Sequence, residues 1–211
     1  MAGKQAIKLT YFNLTGRAEI TRLAFHIGGI PFIDERIKRD EFNERKPTLP
    51  FGQVPVLTIN DKVFSQSSAL ARYAGAVSGL YPKEPLSALQ VDEILAHSKD
   101  IFDLLPPTLK VADKDQRIAM RQEIAKTRIT PMCEAMERRL AQVKAPNGNY
   151  LLGDEITLAD LELYLTNALM ESEWFEGVPA DTCHHYPTWM SVVNAVAQHP
   201  KVQSYISKAN L

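Results

Sequence analysis

The chain has 211 residues, of which 45% are hydrophobic and 23% are charged, and its formal net charge is −1. This size allows one large or two small globular domains, and the near-neutral charge excludes the broad basic surface that binds a nucleic-acid backbone. Charged residues interrupt the apolar stretches well before the roughly 20 residues of a membrane span, and the N-terminus shows no basic-then-apolar signal segment. We therefore expect a cytoplasmic protein with neither a nucleic-acid nor a membrane partner.

The first eighty residues switch repeatedly between the period of a strand and that of a helix. The elements that this predicts are a strand at 7–11, a helix from about residue 17 to the pair Gly28-Gly29, a strand at 32–37, a short helical or irregular piece at 42–45, strands at 56–59 and 62–64, and a helix after Gln66. Asn60-Asp61 suits a two-residue hairpin turn between the last two strands. The last helix carries Leu70, Tyr73, Ala74 and Val77 on one face. This element order is that of a small thioredoxin-like domain.

From about residue 83 the strand pattern disappears, and the remaining signals are helical. They predict a helix that Pro106-Pro107 ends, a long helix at 113–143 with Pro131 as the place for a bend, a helix with a capping box from Thr157 to Asp160, an apolar face at Trp189, Val192, Val193 and Val196, and a last helix that starts at Pro200. Tyr81–Pro85 is the expected linker. The predicted fold is therefore α/β followed by all-α, with domains at residues 1–81 and 82–211.

The two cysteines, Cys133 and Cys183, lie far apart in the sequence. They form neither a C-x-x-C pair nor part of a cluster with metal-ligand spacing. We expect free thiols in a reducing compartment.

Three segments of the first domain carry a resemblance to a known family, namely Ile7–Glu19, Pro50–Leu57 and Gln66–Tyr73. Together they resemble the glutathione-binding domain of the glutathione transferases, and most of all the sigma class, which includes prostaglandin D synthases and cephalopod and helminth transferases. The likeness extends over nearly the whole chain. In the second domain it rests on helix order, on Asp100 and on the segment from Gly153 to Asp160.

The resemblance implies a catalytic role for Tyr11 and Arg17. A free thiol has a pKa near 8.5, so only a small part of glutathione is thiolate at neutral pH. A hydrogen bond donated to sulfur by the Tyr11 hydroxyl favours the anion, and lowering the thiol pKa by two units corresponds to about 2.7 kcal/mol. Arg17 would add positive potential. The alternatives are a half-buried packing tyrosine and a solvated arginine in the first helical turn.

The same resemblance assigns residues to the glutathione peptide. Val54, ahead of a cis Val54–Pro55 bond, would pair with the cysteinyl backbone, although a trans bond at a strand start is the commoner case. Gln66 and Ser67 would bind the γ-glutamyl end at a helix N-terminus, with Ser67 as a plain N-cap the alternative. The residues expected around the glycyl carboxylate are Phe42, Lys46 and Gln53. Phe42 stands where the class commonly has tryptophan, so it supplies no donor.

In the second domain, Asp100 would reach across a dimer interface to the α-amino group of the partner's glutathione, or else be an ordinary solvated carboxylate. Prostaglandin D synthases of this class bind a divalent metal through carboxylates on this helix. Here the matching positions hold Ala96 and Lys99, so we predict no metal site. Leu14, Leu104 and Pro107 are expected to form the apolar wall of the electrophile pocket.

The resemblance thus implies a homodimeric glutathione transferase that conjugates the glutathione thiolate to small hydrophobic electrophiles. An enzyme of this kind needs no cofactor beyond glutathione as co-substrate. The alternatives are a glutathione-dependent isomerase of the prostaglandin type and a non-enzymatic, crystallin-like or ligand-carrying relative. Thiol–disulfide exchange is disfavoured because the first strand-to-helix turn has no cysteine.

Overall fold

The computed structural model describes residues 6–209, so the outermost ends of both predicted domains lie outside the described residues. The chain divides into two compact units between Tyr81 and Pro82, and residues 204–209 belong to the first unit. The sequence analysis placed those C-terminal residues in the second domain. They join the first unit because the Tyr205 hydroxyl donates to the Glu19 carboxylate over 2.7 Å and Ser204 Oγ lies 3.2 Å from His26 Nε2.

The first unit is built on a four-stranded sheet in the order β2-β1-β3-β4. β2 runs parallel to β1, while β3 runs antiparallel to both β1 and β4. This is the predicted thioredoxin-like arrangement. Its elements are β1 Ile7–Phe12, α1 Glu19–Gly28, β2 Ile33–Ile37, α2 Arg39–Arg45, β3 Val56–Ile59, β4 Lys62–Ser65 and α3 Ser67–Ser78.

Turn chemistry fixes most boundaries of the first unit. Gly29 ends α1 in the left-handed conformation with φ 66°, and Asn60 and Asp61 form the predicted hairpin turn with φ of 45° and 66°. β1 ends one residue later than predicted, on Phe12 instead of Tyr11. A 3₁₀ turn at Gly16–Ala18 replaces the expected first turn of α1, which therefore begins at Glu19 and not near residue 17.

One predicted helix face needs correction. Leu70 and Ala74 of α3 are buried, but Val77 is 41% exposed. The contact face turns away from Val77 because α1 and α3 approach closely at Gly28, where an added Cβ would lie 2.4 Å from the Cβ of Ser78. The buried residues of α3 are Leu70, Ala71, Ala74 and Gly75.

The second unit is helical, as predicted. Its helices are α4 Pro85–Asp103, α5 Lys114–Ile124, α6 Thr130–Val143, α7 Leu158–Met170, α8 Pro187–Gln198 and α9 Pro200–Ala209, whose end belongs to the first unit. Pro85 is the first residue of α4 and not part of the linker, because the Glu84 side chain caps the helix by accepting from the N–H groups of Leu86 and Ser87. The expected 113–143 helix is interrupted by a π-helical segment at Ala125–Ile129, just before Pro131, whose ring nitrogen has no hydrogen to donate.

The core of the second unit agrees with the predicted apolar face. Trp189, Val192, Val193 and Val196 are buried, and the Trp189 indole N–H donates to the carbonyl of Leu163 over 3.1 Å. Cys133 and Cys183 are buried free thiols. Across residues 6–209, no helix is both long enough and apolar enough to cross a membrane.

Candidate active site

Strand register gathers the three resembling segments at one edge of the sheet. Thr10 of β1 pairs with Val56 of β3, and Val56 pairs with Ser65 of β4. The residues just beyond this row are Tyr11, which follows Thr10, Pro55, which precedes Val56, and Gln66, which follows Ser65. Because paired strands keep their neighbours about 5 Å apart, the end of β1, the start of β3 and the start of α3 meet here.

Tyr11 is 7% exposed, and its hydroxyl oxygen accepts the backbone N–H of Arg17 over 3.4 Å. Burial raises the pKa of Tyr11 above its ordinary value of 10.0, against the opposing effects of that hydrogen bond and of the Arg17 and Arg22 charges. The phenol therefore keeps its proton at neutral pH. Because the oxygen is the acceptor in its hydrogen bond with the Arg17 N–H, that bond does not use the hydroxyl proton. The proton can therefore be donated to a further acceptor.

The turn between β1 and α1 leaves no room for a side chain at Gly16. Its φ is +48°, and a Cβ there would lie 2.7 Å from Leu14 Cδ1 and 2.9 Å from the Tyr11 hydroxyl oxygen. Glycine is thus required both for the backbone conformation and for the close approach to the phenol. The same contacts place Leu14, predicted for the electrophile pocket, next to Tyr11.

The Val54–Pro55 peptide bond is cis, as the resemblance implied. Pro55 is buried and Val54 is partly exposed directly ahead of β3. A proline here removes no ladder hydrogen bond, since the strand begins only at Val56.

At the start of α3, Ser67 is not the N-cap that was considered as its alternative role. Gln66 is the N-cap residue, whereas Ser67 is the first helical residue. The N–H groups of Ala69 and Leu70 both bond to the Gln66 carbonyl, at 2.8 and 3.0 Å, so the N–H groups of Ser67 and Ser68 precede the first intrahelical bonds. Gln66 adopts φ 76°, a conformation that costs a non-glycine residue about 1–3 kcal/mol and that clusters at functional sites.

Phe42, on α2, is 9% exposed and packs edge-on against Phe12, with ring centroids 5.3 Å apart. Two cations lie over its ring: the Arg39 guanidinium at 5.6 Å and the Lys46 ammonium at 5.9 Å from the centroid. The sequence analysis did not single out Arg39. The Lys46 contact brings together two of the residues that were predicted for the glycyl end.

Lys46 and Gln53 are both exposed, at opposite ends of a compact loop. Gly52 adopts φ +61°, and its Cβ position lies 3.6 Å from Lys46 Cγ, so the lysine stem runs alongside the residue that precedes Gln53. Lys46 and Gln53 are therefore neighbours in the folded loop.

Sequence reasoning also missed Arg22, a charged residue of α1 that is only 1% exposed. It forms ion pairs with Glu19 and Asp34, both at 3.0 Å. The available signal was the opposite charge of Glu19 three residues earlier, a spacing that places both side chains on one helix face.

The remaining predicted residues belong to the second unit. Asp100 is exposed on α4, Leu104 is partly buried just after α4, and Pro107 is exposed in the 3₁₀ turn Pro106–Lys110. The Lys99 ammonium donates to the Asp103 carboxylate one turn further on. In the part of the chain from residue 6 to 209, no group of three or more His, Cys, Asp or Glu side chains is arranged to hold a metal ion.

Comparisons with known proteins identify the family. A family model described as "Glutathione S-transferase, N-terminal domain" matches residues 7–75, and one described as "Glutathione S-transferase, C-terminal domain" matches residues 99–209. The chain is similar to glutathione S-transferase 3 of Caenorhabditis elegans, with 37% identity over 73% of this chain and 75% of the relative. Hematopoietic prostaglandin D synthase of Gallus gallus is 30% identical over 95% of both chains.

A solved structure of the glutathione S-transferase from Ascaris lumbricoides superposes with a TM-score of 0.79 and 30% identity over 97% of both chains. These relatives include the nematode and prostaglandin-synthase groups that the sequence resemblance indicated. The chain belongs to the glutathione S-transferase family, and this membership supports glutathione conjugation as its activity.

Proposed function

We propose that this protein conjugates the glutathione thiolate to small hydrophobic electrophiles and that Tyr11 stabilises the thiolate. The observation that carries the proposal is the hydrogen bond from the Arg17 N–H to the Tyr11 oxygen, at the sheet edge where the cis Val54–Pro55 bond and the start of α3 meet. A protonated, buried phenol that already accepts one hydrogen bond is a donor for sulfur and not a general base.

The energetic task of Tyr11 is modest. Bringing a thiol pKa from about 8.5 to about 6.5 makes thiolate the majority species at neutral pH and requires about 2.7 kcal/mol. A hydrogen bond to a charged group typically contributes about 1.5–3 kcal/mol. One hydroxyl, helped by the positive charge of Arg17, is therefore sufficient in magnitude.

The rest of glutathione is assigned to the same edge. The backbone of Val54 would pair with the cysteinyl residue. The free N–H groups at the start of α3, with Gln66 and Ser67, would bind the γ-glutamyl carboxylate, which the helix dipole favours. Lys46 and Gln53, beside Phe42, would hold the glycyl carboxylate.

The protein is proposed to act as a homodimer in the cytoplasm, without a metal or an organic cofactor beyond the glutathione co-substrate. Asp100 of one subunit would meet the α-amino group of glutathione in the other. Leu14, Leu104 and Pro107 would form the apolar wall for the electrophile. Attack by sulfur needs oriented, desolvated partners more than a dedicated acid, so a permissive wall can serve several electrophiles.

The similarity to hematopoietic prostaglandin D synthase favours a second candidate, an isomerase that uses the same thiolate. Ala96 and Lys99 replace the carboxylates that the sequence analysis associated with those synthases. Conjugation therefore remains the first candidate.

The test combines a substrate panel with a variant. Activity would be measured with glutathione and an aryl halide, a hydroperoxide or a prostaglandin endoperoxide. In parallel, ultraviolet titration of bound thiolate would compare the protein with Tyr11→Phe, and with Tyr164→Phe as a matched loss of a partly buried hydroxyl in the second unit. We expect the unsubstituted protein to turn over the aryl halide. Of the two variants, only Tyr11→Phe should raise the thiol pKa of bound glutathione. An unchanged thiol pKa in that variant would mean that Tyr11 does not stabilise the thiolate.

A further inference from the structure

Arg22 donates hydrogen bonds to the loop that links Tyr11 to Arg17. Its guanidinium donates to three backbone carbonyls of that loop: Leu14 at 2.8 Å, Thr15 at 3.4 Å and Phe12 at 3.4 Å. The centre of its charge lies 5.8 Å from the centroid of the Tyr11 ring. No other residue type presents five donors in a planar fork, so lysine cannot reproduce these contacts.

Two carboxylates hold Arg22 in this position. Its Nη1 pairs with Glu19, whose side chain is 4% exposed, and its Nε pairs with Asp34. A charge this deeply buried requires such partners, because an unpaired guanidinium would lose its hydration without compensation. The orientation of Arg22 is therefore determined by Glu19 and Asp34.

The second oxygen of Glu19 accepts the hydroxyl of Tyr205 over 2.7 Å. Tyr205 lies near the end of α9, in the part of that helix that belongs to the first unit. A continuous chain of hydrogen bonds thus leads from Tyr205 through Glu19 and Arg22 to the loop carbonyls. Beyond the loop it ends at the Arg17 N–H, which donates to Tyr11.

We propose that Arg22 and Tyr205 are positioning residues for Tyr11: through Glu19 they fix the loop so that the Arg17 N–H meets the phenol oxygen and the phenol proton is directed to the glutathione sulfur. Neither residue touches the substrate. The inference rests on the proposed role of Tyr11 and extends it to the C-terminal helix, which no sequence pattern connects with the first strand.

A purely structural role and a positioning role make different predictions. If the network only stabilises the fold, weakening it lowers the free energy of unfolding and leaves the thiol pKa of bound glutathione unchanged. If it positions Tyr11, the thiol pKa rises. Turnover at neutral pH then falls while KM for glutathione changes little, because the contact acts on the sulfur and not on the peptide.

The experiment measures the pKa of protein-bound glutathione by ultraviolet titration, together with kcat, KM for glutathione and urea unfolding. In Arg22→Lys we expect the thiol pKa to rise by about one unit; from about 6.5, this lowers the thiolate fraction, and kcat with it, about threefold at pH 7 and about ninefold at pH 5.5. In Tyr205→Phe, which removes a single hydroxyl, we expect a smaller rise of about half a unit and about a 1.5-fold loss at pH 7. Both losses should shrink at high pH, where the thiol ionises without help.

Arg121→Lys is the matched control. Arg121 is a buried arginine of the second unit, 3% exposed, that donates to the Thr108 hydroxyl and to the carbonyls of Trp174 and Glu176. Its substitution should destabilise the fold as Arg22→Lys does but leave the bound-thiol pKa unchanged. A shift of the same size in this control would overturn the proposal.

Failure of the inference can be told apart from failure of the proposed function. If Tyr11→Phe leaves the thiol pKa unchanged, the role of Tyr11 is wrong. If Tyr11→Phe raises it while Arg22→Lys and Tyr205→Phe do not, the positioning role alone is wrong. Should Arg22→Lys fail to fold, Tyr205→Phe decides the matter, because an unchanged thiol pKa in that variant overturns the proposal that the network through Glu19 positions Tyr11.

Discussion

The ring of Phe42 lies edge-on to the ring of Phe12, 5.3 Å between centroids, at the point where β1 ends. Arg39 and Lys46 place their charges within 6 Å of the Phe42 ring. A phenylalanine at this position contributes area and a negative ring face but no hydrogen-bond donor. If the glycyl carboxylate of glutathione binds here, it must rely on Lys46, Gln53, Arg39 or water.

We expect Phe42→Trp to tighten glutathione binding several-fold while leaving the thiol pKa and kcat nearly unchanged, because the added indole N–H contacts ground and transition states alike. Since Phe42 is almost fully buried, the larger ring should also cost about 1–3 kcal/mol of stability. Calorimetry and saturation kinetics measure the effect. Phe32→Trp is the control, since Phe32 packs on Phe25 next to the opposite end of β1. Unchanged affinity would mean that Phe42 does not face the glycyl end.

Local signals explain why most elements of this fold could be predicted. Gly29, the Asn60-Asp61 pair and the Thr157 capping box act over a few residues, so the sequence shows them directly. The N-cap role of Gln66 depends on a left-handed conformation that the sequence does not favour in a glutamine. The cis Val54–Pro55 bond was predicted through the family resemblance, not through local preference.

What could not be predicted depends on tertiary contacts. The exposure of Val77 follows from the close approach of Gly28 and Ser78 on two different helices. The burial of Arg22 requires Asp34 on a strand, and its partner Glu19 is completed by Tyr205, 186 residues away. Helical periodicity reports which face of α1 is apolar, but it does not indicate that a charge is enclosed by partners from distant segments.

The shared-site prediction concerns Asp100. Heterodimers of an Asp100→Ala subunit with a Tyr11→Phe subunit would contain one site with neither lesion and one with both, if each site borrows Asp100 from the partner. About half the activity of the unsubstituted dimer is then expected, well above either parent. The matched control pairs an unsubstituted subunit with one carrying both substitutions, so that each site has one lesion and activity stays low. Equal activity of the two heterodimers, or a monomer in sedimentation, would contradict the idea.

Glu35 supplies a prediction on pH dependence. Burial alone would raise its pKa, but hydrogen bonds from Thr10 (2.6 Å) and Arg45 (3.0 Å), together with the charge of Lys8, hold the pKa below its ordinary value of 4.5. The unfolded chain therefore binds the proton more tightly. This contribution to stability is present above about pH 4.5 and is lost as pH falls through the lower folded value.

We accordingly expect Glu35→Gln to flatten the decline of the unfolding free energy as pH falls below about 4.5, by less than about 1 kcal/mol because the carboxylate is partly exposed. Urea unfolding at several pH values measures it. Glu44→Gln, exposed on α2, is the control. A decline in Glu35→Gln as steep as in the unsubstituted protein would show that the acid sensitivity comes from other carboxylates.

The last prediction concerns Asp160, which is fully buried at the start of α7. Its carboxylate accepts three hydrogen bonds of 2.7 Å, from the N–H and hydroxyl of Thr157 and from the N–H of Leu151. It thus caps the helix and also anchors the chain that precedes it. Asp160→Ala would leave two buried N–H groups without an acceptor, each costing about 1–3 kcal/mol.

We expect Asp160→Ala to lower the free energy of unfolding by about 2–4 kcal/mol, measured in urea, while the folded fraction binds glutathione with unchanged affinity. Binding should be unaffected because the glutathione contacts proposed for the first unit do not involve α7. Glu155→Ala, an exposed carboxylate in the same loop, controls for the loss of charge and should change stability by less than about 0.5 kcal/mol. A loss below 1 kcal/mol in Asp160→Ala would mean that water or a rearranged loop satisfies the Leu151 and Thr157 N–H groups. In that case the cap would not determine the position of α7.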